Sequence, residues 1–169
     1  MNSDERFTRM SKAYYKLLDM LKDELEKDSD IVDGLKEGLR KFLSNLEIKL
    51  NKTDEWADYI SLSAKARIAS GDKTKLVYDH VVPKTRYIQK YCMKAAVTGQ
   101  FENGEKFSEA AIKGFLERYW KVTVITKEED DKLTHAGLRE KMPKDWDGKD
   151  LFARYKAVGI TVEPLESRL

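Results

Sequence analysis

The stretch LVYDHVVPKTRY, residues 76–87, places an acid beside a histidine where an apolar run ends. The chain holds only two histidines, so an imidazole at this point invites a chemical reading. Neutral imidazole, with an ordinary pKa of ~6.5, can take a proton from water near neutral pH. A carboxylate can hold a hard divalent cation, which takes oxygen ligands. Asp79 and His80 therefore have the makings of half a hydrolytic site: the base from His80, one ligand from Asp79, and an ion that stabilises a scissile phosphate and its leaving oxygen. Lys84 and Arg86 follow closely and could hold phosphates.

A second ligand has to come from elsewhere. WKVTVIT, residues 120–126, reads as the best strand in the chain, with Val122, Val124 and Thr126 in alternation. It runs straight into KEEDDKL, where Thr126 and Glu129 have the spacing of a helix capping box. If KLVYDHVV is also a strand and the two pair antiparallel, Asp79 and His80 come opposite the start of the helix bearing Glu128, Glu129, Asp130 and Asp131. Asp130 is the first candidate for the second ligand and Glu129 the next. Both positions also have structural uses. Glu129 can complete the cap, and acids in a first turn favour the helix dipole. Asp79 itself could receive backbone N–H groups at a strand end.

An acid–His pair followed by VVPK, then a second strand and a helix with metal-binding side chains, resembles the HNH or ββα-metal nucleases over residues 75–135. The resemblance implies a metal-dependent endonuclease, mostly acting on DNA, with Mg²⁺ or Mn²⁺ as cofactor. It implies Asp79 as metal ligand and His80 as general base. It puts the second ligand in KEED, where the family usually has His or Asn and this chain has carboxylates.

The positioning elements follow from periodicity. Phe7, Met10, Tyr14, Leu17, Leu18, Leu21 and Leu25 recur at threes and fours, as do Ile31, Leu35, Leu39, Phe42, Leu43, Leu46 and Leu50. These spacings predict helices over 4–28 and 31–50. Asp30 is placed to cap the second, and Gly34 and Gly38 have a spacing that would permit close helix packing. A third helix is expected from a Thr53 cap to about Ala69, carrying Trp56, Tyr59, Ile60 and Ala64. Helices are also expected over 85–97 and, capped by Ser108, over 109–118. A short final helix in KDLFARYKAVG is closed by Gly159 and sets Arg154 and Tyr155 on different faces. Cys92 reads as an inert helix residue, His135 as a helix-end residue, and Trp56, Trp120 and Trp146 as packing residues.

The expected fold class is α+β, mostly α: N-terminal helices plus a small two-stranded antiparallel ββα-metal-like unit with a helical insertion. The expected division is a helical extension over 1–70 and a ββα-metal-like domain over 71–169, with the insertion at 85–118.

Charge adds a second line. Counting Lys and Arg against Asp and Glu, residues 1–60 sum to −3 and residues 61–169 to +5. The excess lies in 61–96, where Lys65, Arg67, Lys73, Lys75, Lys84, Arg86, Lys90 and Lys94 stand against Asp72 and Asp79. Such a region is compatible with a phosphate-bearing partner, and the resemblance implies that this partner is a nucleic acid, DNA first. Arg139, Lys141 and Lys144 in GLREKMPKDW, and Arg154 beyond them, are further candidates for phosphate contacts. No apolar run approaches the ~20 residues needed to span a membrane. A single cysteine excludes an intramolecular disulfide and paired-cysteine zinc sites. MNSDERFTRM lacks an apolar signal core, so a cytoplasmic location is expected. Two functions fit: a metal-dependent nuclease, or a non-catalytic helical module that binds protein or nucleic acid. In either, helices 1–70 could dock a partner or a second copy.

Overall fold

A computed structural model describes residues 3–24, 29–51 and 56–165. The fold is α+β and mostly α, with one small mixed sheet of four strands. The chain divides into two compact units, residues 1–54 with 87–118, and residues 55–86 with 119–169. The expected boundary near residue 70 is therefore displaced, and the insertion after residue 86 packs with the N-terminal helices.

In the first unit, α1 (Ser3–Glu24) and α2 (Ser29–Asn51) pack against each other. Helix α1 buries Phe7, Met10, Tyr14, Leu18 and Leu21, the stripe its spacing predicts. Helix α2 buries Val32, Leu39 and Leu43, and leaves Ile31 exposed. Asp30 lies inside the first turn of α2 rather than capping it. Gly34 and Gly38 are exposed, and a Cβ added to either would meet nothing within 4 Å. Among the described residues their spacing therefore serves no close helix contact. Leu25 and Thr53 lie outside the described residues. A π-helical segment, Lys84–Gln89, leads into α4 (Lys90–Thr98), and α5 is Glu109–Tyr119. Within this unit, the Gln89 side-chain amide donates to the Arg40 carbonyl at 2.7 Å. Tyr91 stacks on Phe115 at 4.8 Å, and Phe101 stacks on Phe115 at 5.6 Å. Cys92 is buried, and burial pushes its thiol pKa up, which suppresses the reactive thiolate.

The second unit holds the sheet, in the order β2-β3-β1-β4. Strand β1 is Tyr59–Ser61, followed by α3 (Leu62–Ala69). Strand β2 is Leu76–His80, and β3 is Val122–Thr126. Helix α6 is Lys127–His135, α7 is Ala153–Lys156, and β4 is Val162–Pro164. The expected antiparallel pairing of β2 with β3 is present, with Leu76 opposite Thr126 and His80 opposite Val122. It is half of the sheet rather than all of it, because β1 adds parallel to β3 and β4 antiparallel to β1. All five residues of β3 are buried, as a central strand covered on both faces requires. One face joins Val77, Val81 and Ile125 to Leu133, Tyr155 and Ile160. The other joins Leu76, Tyr78 and Val124 to Ile60 and Ala64.

Two expected helices are shorter than predicted. Trp56, Tyr59 and Ile60 precede α3, whose N-cap is Ser61. The final helix contracts to one turn. The helix ends at Lys156, and the turn that follows closes at Gly159, where φ is +72° and the Ile160 N–H reaches the Tyr155 carbonyl at 2.9 Å, the bonding of a Schellman motif.

Candidate functional site

The expected half-site sits at the end of β2, and its centre is a guanidinium. Arg154, on α7, is fully buried. Its Nε donates to the Val81 carbonyl at 3.0 Å. One terminal amino group donates to the carbonyls of Leu138 at 3.1 Å and Arg139 at 3.0 Å. The other donates to Asp79 Oδ2 and to the His80 carbonyl. An arginine has five N–H donors, and here all five are engaged. Arg154 is thus not available to a phosphate, contrary to its expected role. Tyr155 donates its hydroxyl to the same Asp79 oxygen at 2.8 Å. The two neighbours on α7 converge on one carboxylate, because both side chains are long enough to reach it from adjacent positions of the helix.

Asp79 is consequently committed to internal partners. Its side chain keeps 20% exposure. Burial pushes its pKa up against the pull of Arg154 and Tyr155, and the nearby charge of Asp130 adds to the rise. The register does not do this by itself, since Asp79 stands opposite Thr123 while Leu76 stands opposite Thr126, where α6 begins. Asp130 comes within electrostatic range of Asp79 because α6 packs back along β2.

His80 goes elsewhere. Successive strand residues face opposite sides, and the His80 ring meets Trp120 edge-on, with centroids 4.7 Å apart. Its Nε2 is buried and has no hydrogen-bond partner. Burial, helped by the charges of Lys84 and Arg154, lowers its pKa to about 3. An imidazole so weakly basic is a poor proton acceptor near neutral pH.

The helix acids also have partners. Thr126 and Glu129 form the predicted capping box. Glu129 Oε2 accepts the Thr126 N–H at 2.9 Å and the Ser61 hydroxyl at 2.6 Å. Ser61 Oγ in turn accepts the Ala64 N–H at 3.1 Å, so one carboxylate ties the N-terminal caps of α3 and α6 together. Asp130 is 5% exposed, with Lys127 Nζ at 3.0 Å from one oxygen and Arg139 Nε at 3.4 Å from the other. Lys84 is half-buried and Arg86 exposed, both on the π-helical segment. The His135 Nδ1 lies 2.6 Å from the Asp131 carbonyl of its own helix. Trp120 is fully buried, and Trp146 donates its indole N–H to the Asp150 carbonyl at 2.7 Å.

A divalent ion would need several of these oxygens to converge on one point. Asp79 is turned onto Arg154 and Tyr155, Glu129 onto two helix caps, and Asp130 onto two cations. Among the described residues no three His, Cys, Asp or Glu side chains group as a metal-binding set. As folded, these residues do not fit a divalent ion. Sequence reasoning missed Ser61 and Tyr155, whose only signals are a hydroxyl before a helical run and a position next to Arg154.

Among the described residues no helix is long and apolar enough to cross a membrane. No protein family, curated protein or solved structure matches the chain.

Proposed function

We propose that the protein is a non-catalytic nucleic-acid-binding module built on a nuclease-like ββα arrangement. One observation carries both halves of this reading: Asp79 is folded inward onto Arg154. That contact takes the expected metal ligand out of service, because a cation entering there would have to displace a guanidinium with every donor satisfied. The same contact neutralises one of only two acids in residues 61–86, which hold six Lys and Arg. Of those six, Lys65 pairs with Glu163 and Arg67 with Glu128, while Lys73, Lys75 and Arg86 are exposed. A surface run of this sign attracts a polyphosphate backbone through counterion release.

The experiment is fluorescence anisotropy with labelled duplex DNA across a salt series, run beside a cleavage assay and thermal melts with millimolar Mg²⁺ or Mn²⁺. Binding should weaken steeply with salt, and K73E/K75E should weaken it further. No cleavage should occur, and neither ion should raise the melting temperature, since an ion bound only to the folded state would do so. Metal-dependent cleavage that disappears in a folded His80→Ala variant would establish the hydrolase instead. Absence of binding at low salt would refute the module.

A further inference from the structure

Resting on that reading, we infer that Arg139 is a preorganised phosphate fork, aimed by Asp130. The connection between α6 and α7 contains no helix or strand, and long irregular connections of this kind are uncommon unless they serve a function. This one is firmly held. Gly137, with φ of +68°, closes α6, and the Leu138 N–H reaches the Leu133 carbonyl at 2.8 Å. Buried Arg154 then grips the carbonyls of residues 138 and 139. Further along, Met142 is buried, and Tyr119 donates its hydroxyl to the Gly148 carbonyl at 3.0 Å. The backbone under Arg139 is fixed while its side chain is 61% exposed.

The side chain is oriented as well. Its Nε faces the buried Asp130 carboxylate at 3.4 Å. Among the described residues that is its ion pair, and it is made through the inner nitrogen. The two terminal amino groups are left for another oxyanion, and two parallel N–H donors match the oxygens of a phosphate. An arginine drawn by an ion pair at Nε and presented outward from a fixed backbone has less freedom to lose on binding, a source of affinity in a prebuilt site. Lys141 and Lys144 are exposed on the same connection and would extend the contact along a backbone.

The test uses the full chain and labelled duplex DNA, read by anisotropy over a salt series. Arg139→Ala should bind about tenfold more weakly and lower the slope of log affinity against log salt by about one. Arg139→Lys keeps the charge but loses the fork, so it should recover little. Asp130→Asn should weaken binding in the wild-type background and add nothing in the Arg139→Ala background, which a merely structural role would not produce. Wild-type affinity in Arg139→Ala would overturn the inference and leave the module standing. Wild-type affinity in Arg139→Lys would show charge without a fork and overturn it too. Failure of the wild type to bind DNA would remove both, and Arg139-dependent retention on polyglutamate in that case would replace phosphate with carboxylate as the ligand. If Asp130→Asn does not fold, the Arg139→Lys comparison decides.

Discussion

Replacing Arg154 with Met tests the central contact. Methionine is unbranched, flexible and apolar, so it replaces the stem of the arginine while removing the guanidinium with its charge and donors. What it leaves behind sets the magnitude. Asp79 loses its buried counter-charge, and breaking a buried pair from one side costs ~3–5 kcal/mol. The 20% exposure of the Asp79 side chain admits some water and puts the electrostatic loss toward ~3 kcal/mol. Four backbone carbonyls also lose a donor, those of Val81, Leu138, Arg139 and His80. Unmet buried acceptors cost ~1 kcal/mol or more each, but carbonyls near the surface find water, so the terms do not simply add. A loss of at least ~3 kcal/mol is expected, against the ~5–15 kcal/mol that typically holds a domain together.

The assay can be confined to the unit concerned. Trp56, Trp120 and Trp146, the only tryptophans, all belong to the unit of residues 55–86 and 119–169. Their fluorescence in urea therefore follows that unit even if the chain unfolds in two steps. Asp79→Leu combined with Arg154→Met should cost less than the two single losses summed, because neither charge is then left alone. An Arg154→Met midpoint within ~0.5 kcal/mol of wild type, the range of ordinary surface changes, would refute the structural account. It would return Arg154 to the list of phosphate contacts.

Two further perturbations test neighbouring contacts. His80 has a folded pKa of about 3 against an ordinary 6.5, so between those values the unfolded chain binds more protons than the folded one. Stability should then rise with pH through that window, by up to ~1.4 kcal/mol per pH unit from this group, and be lost as pH falls. His80→Phe, which keeps a ring against Trp120, should flatten the pH dependence of the urea midpoint there; an unchanged slope would mean that His80 is already protonated in the fold. Glu129→Ala should cost ~1–3 kcal/mol by freeing the caps of α3 and α6 together. A thermal melt no lower than that of Ser61→Ala would show that the two caps are independent.

The elements that announced themselves in the sequence are those whose signals are local. Alternating β-branched residues mark β3, and the Thr126–Glu129 spacing marks the start of α6. Ser108 caps α5 as expected, its hydroxyl accepting the Ala111 N–H at 3.1 Å, and Gly159 closes the turn that follows α7. What escaped depends on distant partners. Strand β1 is three residues long, too short to show a period, and Tyr59, Ile60 and Ala64 fall at helical spacing by coincidence. Tyr59 and Ile60 extend because β3 and β4 offer ladder partners on both sides, a non-local gain that overrides propensity, while Ala64 stays in α3. The division of the chain escaped for a similar reason. Nothing near Gln89 in sequence reveals that its side chain bonds to residue 40.

The site was legible in its ingredients but not in its wiring. The expected β2–β3 pairing formed, but its antiparallel register sets Asp79 opposite Thr123 and leaves Leu76 beside the start of α6. The partner of Asp79 is Arg154, 75 residues later, and no spacing rule reaches that far. The separation of Asp79 from His80 was, by contrast, open to prediction. Adjacent residues of a regular strand point to opposite faces, and only a bulge or a strand end relieves this. The β2–β3 register runs without a bulge from Leu76 opposite Thr126 to His80 opposite Val122. The ladder therefore extends past the acid and includes the histidine, which sends Asp79 to Arg154 and His80 to Trp120. Had β2 ended one residue earlier, both side chains would have been free to turn toward one point. The length of a single strand thus decides whether an acid–His pair can work as a unit, and in this chain it assigns the two residues to different faces of the sheet.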